Sequence, residues 1–454
     1  MMQRLWFGWA WLDDGWRDNV VVTIDDAGWI AGVEAGVPPA GCEVVPGVAL
    51  PGLPNLHSHG FQRAMAGLAE RGQRTEEDFW SWRHVMYRTA NELDPDEIEA
   101  VTTMAYVEML EAGFTAVAEF HYLHHDKDGA HYGDREELAG RIAVAARASG
   151  IGLTLLPCLY SAGGIERAAE PGQRRFLNDI DGFCRLHGET ASMLRRELPG
   201  AVLGVAPHSL RAARPEDVAR IAALFPAGPI HCHAAEQVAE VDDCVAALGA
   251  RPVEWLLDHA GADARWCLIH ATHMTPAETE ALARSGAVAG LCPLTEADLG
   301  DGIFDGARFF ESGGRFGIGS DSLIRIDAAE ELHQLDASQR LHDRRRLVLS
   351  PHGSAGEVLY QGALRGGAQA LEQRIGAIVP GARADIVVLD RDGTDLAALP
   401  PGFWLDHYVF VAGSRLIDRV YAAGRIVVEQ GRHVAREAAV ARFRPVLRRL
   451  AATL

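Results

Sequence analysis

His57-Ser58-His59 closes the apolar run that starts at Val48. Residues two apart on a strand project from one face, so this spacing sets two imidazoles side by side at a strand tip, where neutral ring nitrogens suit Zn²⁺ or Fe²⁺. A lone His-x-His means little, because histidines at strand ends are common. Its weight comes from three further groups downstream: His233-Ala234-Ala235-Glu236, then His270, then Gly319-Ser320-Asp321-Ser322, each ending another apolar run. Glu236 falls three residues past His233, close to such a centre without being an obvious ligand, a position that suits a proton shuttle.

These residues form one centre only if the fold gathers the strand ends. From residue 47 to residue 374 strands and helices alternate. Ile98, Val101, Ala105 and Met109 recur at helical spacing, Gly113 stops that helix, and Phe114–Phe120 reads as a strand. Further strands are expected at 151–159, 202–206, 229–233, 266–270, 287–291 and 315–319; with the strand before His57 they make eight. Eight βα units match an α/β (β/α)₈ TIM-like barrel, whose catalytic groups sit at the C-terminal ends of the strands. A doubly wound sheet is the alternative, but no Gly-x-Gly-x-x-Gly follows the first strand. Residues 1–46 and 375–432 read as β-structure, including 384–390, Tyr408–Val411 and 419–428, and are expected to form one small β-sandwich domain from both chain ends. Residues 433–454 should end the chain as a helix.

Composition narrows the classes. Nearly half of the 454 residues are hydrophobic (48%), and the seven cysteines are scattered without a Cys-x-x-Cys pair, which points to a reducing, cytoplasmic setting. No apolar run reaches the length of a membrane span, and the N-terminus shows no signal-cleavage pattern. A formal net charge of −19 argues against a nucleic-acid partner, and it makes any anionic substrate depend on local arginines.

The ordered ligand pattern, the split β-domain and the Ala384–Asp390 segment resemble the amidohydrolase superfamily over nearly the whole chain. Many members hold two metals bridged by a carboxylated lysine on the fourth strand. Here the sole lysine is Lys127, in a His-rich loop after the second strand, and the fourth strand ends in Ala206-Pro207-His208. The resemblance therefore narrows to the mononuclear deaminase branch. It implies His57, His59, His233 and Asp321 as ligands of one divalent metal, Zn²⁺ or alternatively Fe²⁺, with His270 and Glu236 as catalytic partners. In that scheme Asp321 also takes the proton of the attacking water, His270 orients the nucleophile, and Glu236 protonates the C=N nitrogen that leaves as ammonia. The resemblance also suggests a homodimer.

The segment from His57 to Leu68 departs from the Thr-His-rich opening of nucleobase deaminases. With Trp80-Ser81-Trp82-Arg83, Glu119-Phe120-His121-Tyr122 and Pro207-His208-Ser209-Leu210-Arg211, it is similar to the formimidoylglutamate deiminases of histidine degradation. That family hydrolyses N-formimidoyl-L-glutamate to N-formyl-L-glutamate and ammonia. A dianion with an amidine head calls for arginines that pair with carboxylates. Arg83 and Arg211 are the candidates, with Arg63 and Arg325 as substitutes; Tyr122 is expected at a carboxylate, and Gln62 and His208 at the formimidoyl group. Trp80 and Trp82 are expected to pack the insertion. His121, His124, His125 and His131 read as a solvated loop rather than a second metal site, and Asp343-Arg344-Arg345-Arg346 as a solvated helix face or an oligomer contact. Other readings are a guanine- or cytosine-type deaminase on the same scaffold, imidazolonepropionase, and a non-catalytic barrel protein, which should have lost some of these ligands.

Overall fold

The computed structural model describes residues 2–70 and 78–452; Met1 and the last two residues of the expected C-terminal segment lie outside that range. Parallel strands follow one another around a barrel: Leu53–Ser58, Phe114–His121, Gly152–Leu159, a fourth divided into Val202–Leu203 and Ala206–Pro207, then Ile230–Ala234, Trp266–His270, Val288–Leu291 and Arg315–Ile318. The ring closes where Ile318 pairs with Asn55, Asp321 with Ser58, and Val205 with Ile230. The first and second strands are buried at every position, as expected where one face fills a barrel and the other lies under helices. Helix starts follow the local chemistry. Asp94 accepts from the Glu97 N–H ahead of Pro95–Glu111, Thr275 from the Glu278 N–H ahead of Pro276–Ser285, and both form capping boxes with Pro in the first turn.

Both chain ends build a second, eight-stranded sheet. Its N-terminal strands are Gln3–Leu12, Gly15–Ile24, Ile30–Glu34 and Glu43–Pro51, and its C-terminal strands are Ile386–Leu389, Ile417–Ala422, Arg425–Glu429 and Arg432–His433. Leu5, Phe7, Val22, Ile386 and Val388 fill a core of its own, while Val48, Leu50, Val387 and Leu389 join the barrel's core. Helix Arg436–Ala451 lies beside Pro95–Glu111, tied by Arg449 to Glu97 at 2.6 Å and by Arg436 to Glu111. Among the described residues no helix is long and apolar enough to cross a membrane.

Two segments differ from the sequence reading. The apolar run before His57 is two strands in two sheets, divided at Gly52, where a Cβ would lie 2.2 Å from the Thr115 side chain. Tyr408–Val411, expected as a strand, falls in the wide turn Tyr408–Ala412 that continues the helix Trp404–His407. A four-residue apolar run carries no decisive period. Here Tyr408 is buried beside Tyr360, and Phe410 is held edge-on by His333 and under Arg340, a one-sided packing that a helix supplies.

Candidate active site

The ends of the first and eighth strands are locked in register. Asn55 donates to Ser320 Oγ (2.6 Å) and accepts from the Ser320 N–H (3.1 Å), while the Asp321 N–H donates to the His57 carbonyl (3.0 Å). The approach requires Gly319, since a Cβ there would lie 2.8 Å from the His57 backbone nitrogen. In this way His57, His59 and Asp321, far apart in sequence, meet at one rim, and His233 arrives from the fifth strand.

The two rings His59 and His233 are oriented by backbone. His59 Nδ1 lies 2.9 Å from the Phe120 carbonyl and His233 Nδ1 2.9 Å from the His208 carbonyl, so Nδ1 carries the proton and Nε2 presents a lone pair. His233 Nε2 is 3.1 Å from His57 Nε2, and Asp321 Oδ1 is 3.3 Å from His57 Nε2 and 3.4 Å from His59 Nε2. One donor atom from each of these four buried residues lies within 4.8 Å of all the others. Burial pushes the His57 imidazole down to about 3 and holds His59 and His233 below the usual histidine value. Burial acts against the Asp321 charge, yet a hydrogen bond from His57 and favourable electrostatic coupling to His57, His270 and His59 hold this carboxyl below the usual range. Neutral imidazoles around an anionic carboxylate are the protonation state a divalent cation needs, so this donor set fits one.

His270 is held differently. Its Nδ1 lies 3.2 Å from Glu296 Oε1, and its Nε2 faces Glu236 Oε1 at 3.6 Å and Asp321 Oδ2 at 3.8 Å. Burial opposes its charge, but Glu236, the hydrogen bond to Glu296 and Asp321 together raise it to about 10. The backbone here is strained as well. His270, Asp321 and Ala235 sit at φ of 68°, 40° and 51°, a left-handed conformation that non-glycine residues adopt at a cost and that clusters at working sites.

Above this floor opens a pocket whose lining includes Gln62, Arg83, Tyr122, His208, Arg211, Glu236 and Asp321. Gln62 donates to Tyr122 Oη at 2.9 Å, and the His208 ring stacks on His233 at 4.7 Å between centroids. Arg211 is committed in part. Its Nη2 holds Glu236 Oε2 at 2.5 Å and its Nε lies 3.6 Å from Glu240, while Nη1 is buried without a hydrogen-bond partner. Arg83 lies over the rings of Trp80 and Tyr87 and has no carboxylate partner among the described residues.

Several sequence expectations need correction. Arg63 is spent on Glu108 and Arg325 on Glu330, and neither lines the pocket. Trp82 does line it. His121, His124 and His125 are buried rather than solvated: His124 Nε2 meets the Cys158 carbonyl at 2.9 Å and His125 Nε2 the Leu177 carbonyl at 2.8 Å. Sequence reasoning missed Glu240, Glu296 and Glu119. Glu119 alone left a signal, as a charge inside an otherwise apolar strand. It accepts from the Gly60 N–H at 2.6 Å and from Tyr106 Oη at 3.1 Å, just beyond His59.

A closed parallel barrel carries at its strand ends three histidines and an aspartate that could hold a metal ion, and residues 48–427 match the amidohydrolase family. The chain belongs to that family. It is 48% identical to the formimidoylglutamate deiminase of Pseudomonas aeruginosa over 96% of this chain and 97% of that one. A 5-methylthioadenosine/S-adenosylhomocysteine deaminase of Natronomonas pharaonis is 28% identical over 86% of this chain and 82% of its own. The crystal structure of an amidohydrolase from Brucella melitensis superposes with a TM-score of 0.94 at 47% identity, covering 99% of each chain.

Proposed function

We propose that this chain hydrolyses N-formimidoyl-L-glutamate to N-formyl-L-glutamate and ammonia, using one divalent metal, Zn²⁺ by preference, held by His57, His59, His233 and Asp321. The observation that carries this reading is the pairing of that floor with Arg83, an arginine without a carboxylate partner among the described residues, and with the open Nη1 of Arg211 in the same pocket. The extended similarity to the Pseudomonas aeruginosa deiminase supports it. When bound, the metal supplies a water acidified to a pKa of about 7.

The chain's own groups do the rest. Arg83, Arg211 and Tyr122 hold the carboxylates, and Gln62 and His208 orient the formimidoyl head. Asp321 Oδ2, which faces His270, accepts the proton of the water that attacks the C=N carbon, and His270 steadies the charge that develops on oxygen. Glu236, fixed through Oε2 by Arg211, delivers protons from Oε1 to the imino nitrogen. Collapse of the tetrahedral carbon then expels ammonia and leaves the formyl C=O. A cytoplasmic homodimer in histidine degradation completes the reading.

The pocket wall also carries Phe79, Tyr87, Tyr160 and Phe176, which would suit a flat nucleobase and favours a guanine- or cytosine-type deaminase as second reading. Ammonia release from N-formimidoyl-L-glutamate, guanine and cytosine tests the two. Turnover of a nucleobase without turnover of the first substrate would reject the deiminase reading.

A further inference from the structure

Away from the proposed metal ligands, the pocket wall holds more hydrogen-bond donors than the protein can satisfy. Tyr160 follows the third strand, Tyr87 stands on helix Phe79–Glu92 one turn after Arg83, and Gln173 closes the short turn Pro171–Gln173. Both tyrosines line the pocket, and Gln173 is fully buried against their hydroxyls. Gln173 Oε1 accepts from the Glu170 N–H at 2.7 Å, which fixes the amide with its nitrogen toward the tyrosines. Its two N–H groups donate to Tyr160 Oη at 2.9 Å and to Tyr87 Oη at 3.1 Å. The hydroxyls lie 3.3 Å apart, so one can donate to the other, and the second O–H is left with no acceptor among the described residues. Burial pushes the Tyr160 phenol well above its ordinary value, against the nearby charges of Arg83 and Arg211, so it keeps its proton. Arg175, itself fully buried, clamps this corner: its Nη1 donates to the Leu93 carbonyl at 2.8 Å and its Nε to the His125 carbonyl at 2.9 Å. The end of the helix that carries Arg83 and Tyr87 is thereby tied to the loop that carries Gln173.

We propose that Tyr87 and Tyr160, oriented by Gln173 and joined by Arg83, seat the substrate carboxylate that lies farther from the amidine, and so set a preference for dianions over monoanions. The His208 ring touches both regions, with its centroid 4.7 Å from that of His233 and 4.8 Å from that of Tyr160. The seat therefore begins one ring beyond the metal ligands, where the tail of a substrate falls when its head is at the floor. A carboxylate has lone pairs enough for two hydroxyls and a guanidinium. The long contact between the hydroxyls is then exchanged for two bonds to a charged acceptor, which are the stronger kind. Gln173 does not touch the tail; it is a positioning residue, which keeps both hydroxyl oxygens occupied as acceptors and turns their protons outward. The identity of the head rests on the deiminase reading, whereas the seat recognises a carboxylate whatever the reaction.

Glutarate and butyrate differ by one carboxylate, so calorimetric titration of the metal-loaded enzyme with each reads the seat without turnover. Wild type should bind glutarate at least about tenfold more tightly than butyrate. Tyr160→Phe and Tyr87→Phe should each weaken glutarate by about tenfold, the lower end for a lost hydrogen bond to a charged group. Gln173→Glu offers the hydroxyls an acceptor of their own and sets a negative charge behind the seat, and it should weaken glutarate more than either phenylalanine does. In turnover, the ratio of kcat/KM for N-formimidoyl-L-glutamate to that for N-formimidoyl-L-2-aminobutyrate, which lacks the outer carboxylate, should fall by about tenfold in each tyrosine variant, through KM rather than kcat. A merely structural role lowers both substrates together and leaves that ratio unchanged. The proposal is overturned by equal affinity of wild type for glutarate and butyrate, or by an unchanged glutarate affinity or substrate ratio in the tyrosine variants. Glutarate recognition that both tyrosines support, without ammonia release from either amidine, upholds the seat and rejects the deiminase reading.

Discussion

Arg83→Gln separates carboxylate recognition from chemistry. Arg83 stands on helix Phe79–Glu92, lies over aromatic rings, and has no hydrogen bond or ion pair to Glu236, Asp321 or any proposed metal ligand. Replacing it removes a cation and leaves the floor intact. A hydrogen bond to a charged group contributes about 1.5–3 kcal/mol. Arg83 is only half-buried, so solvent screening puts the loss at the lower end, about 1.5–2 kcal/mol, or about 10- to 30-fold in kcat/KM. The assay is coupled ammonia release from N-formimidoyl-L-glutamate and from a formimidoylated simple alkylamine that has no carboxylate. The first should fall by that factor and the second should stay unchanged. Equal losses on both substrates, or none on the first, refute the carboxylate role. Arg211 cannot serve as this probe, because its Nη2 already holds Glu236.

Arg211→Ala should depress both substrates and lower kcat more than it raises KM, since removing one partner of a buried ion pair costs about 3–5 kcal/mol and frees Glu236; a loss confined to the dianion would show that the pair to Glu236 has no role in turnover. Removal of the metal by a chelator should abolish ammonia release and lower the melting temperature, with restored ion at a hundredfold over its Kd returning about 2.7 kcal/mol; calorimetry of the apo and reloaded forms checks this. Burial raises Glu119 to about 7, against hydrogen bonds from Gly60 and Tyr106 that favour its charge. A folded pKa above the unfolded value means stability that is full below the unfolded value and lost as pH rises through about 7. At ~1.4 kcal/mol per unit the loss approaches about 3 kcal/mol. Glu119→Gln should therefore gain on the wild type in chemical denaturation between pH 5.5 and 8.5, and a gap that does not change with pH would defeat the argument.

What was legible in the sequence is what barrel geometry makes periodic. Strands buried on both faces are continuous apolar runs, and a polar residue at the end of each run marks the rim, which is why His57, His59, His233, His270 and Asp321 could be read without coordinates. The groups that tune them were not legible, for a physical reason. Glu240 and Glu296 lie on helices that begin just after the fifth and seventh strands, where an acidic residue in a first turn is ordinary helix chemistry. Only the close return of the chain reveals Glu296 against His270 Nδ1 and Glu240 beneath Arg211. The His-rich loop misled in the opposite direction. Its polar composition reads as solvated, but the backbone carbonyls of Cys158 and Leu177 satisfy the rings and allow them to be buried.

The distribution of charge explains why an amidine carrying carboxylates fits better than a neutral ring. On the floor the carboxylates of Glu236, Glu296 and Asp321 surround His270. His270 and a bound divalent ion offset that negative charge in sum, but the Glu236 and Asp321 carboxylates still face the pocket and can meet a cationic amidine. Higher on the wall the sign reverses, with Arg83 free of any carboxylate among the described residues and Nη1 of Arg211 without a partner. A formamidinium head is positive and its glutamate tail negative, so the substrate's dipole runs along the pocket's own, from carboxylates at the arginines to amidine at the acids. A nucleobase gains nothing from that polarity and leaves Arg83 unpaired, which is the state a binding site avoids when its ligand is in place.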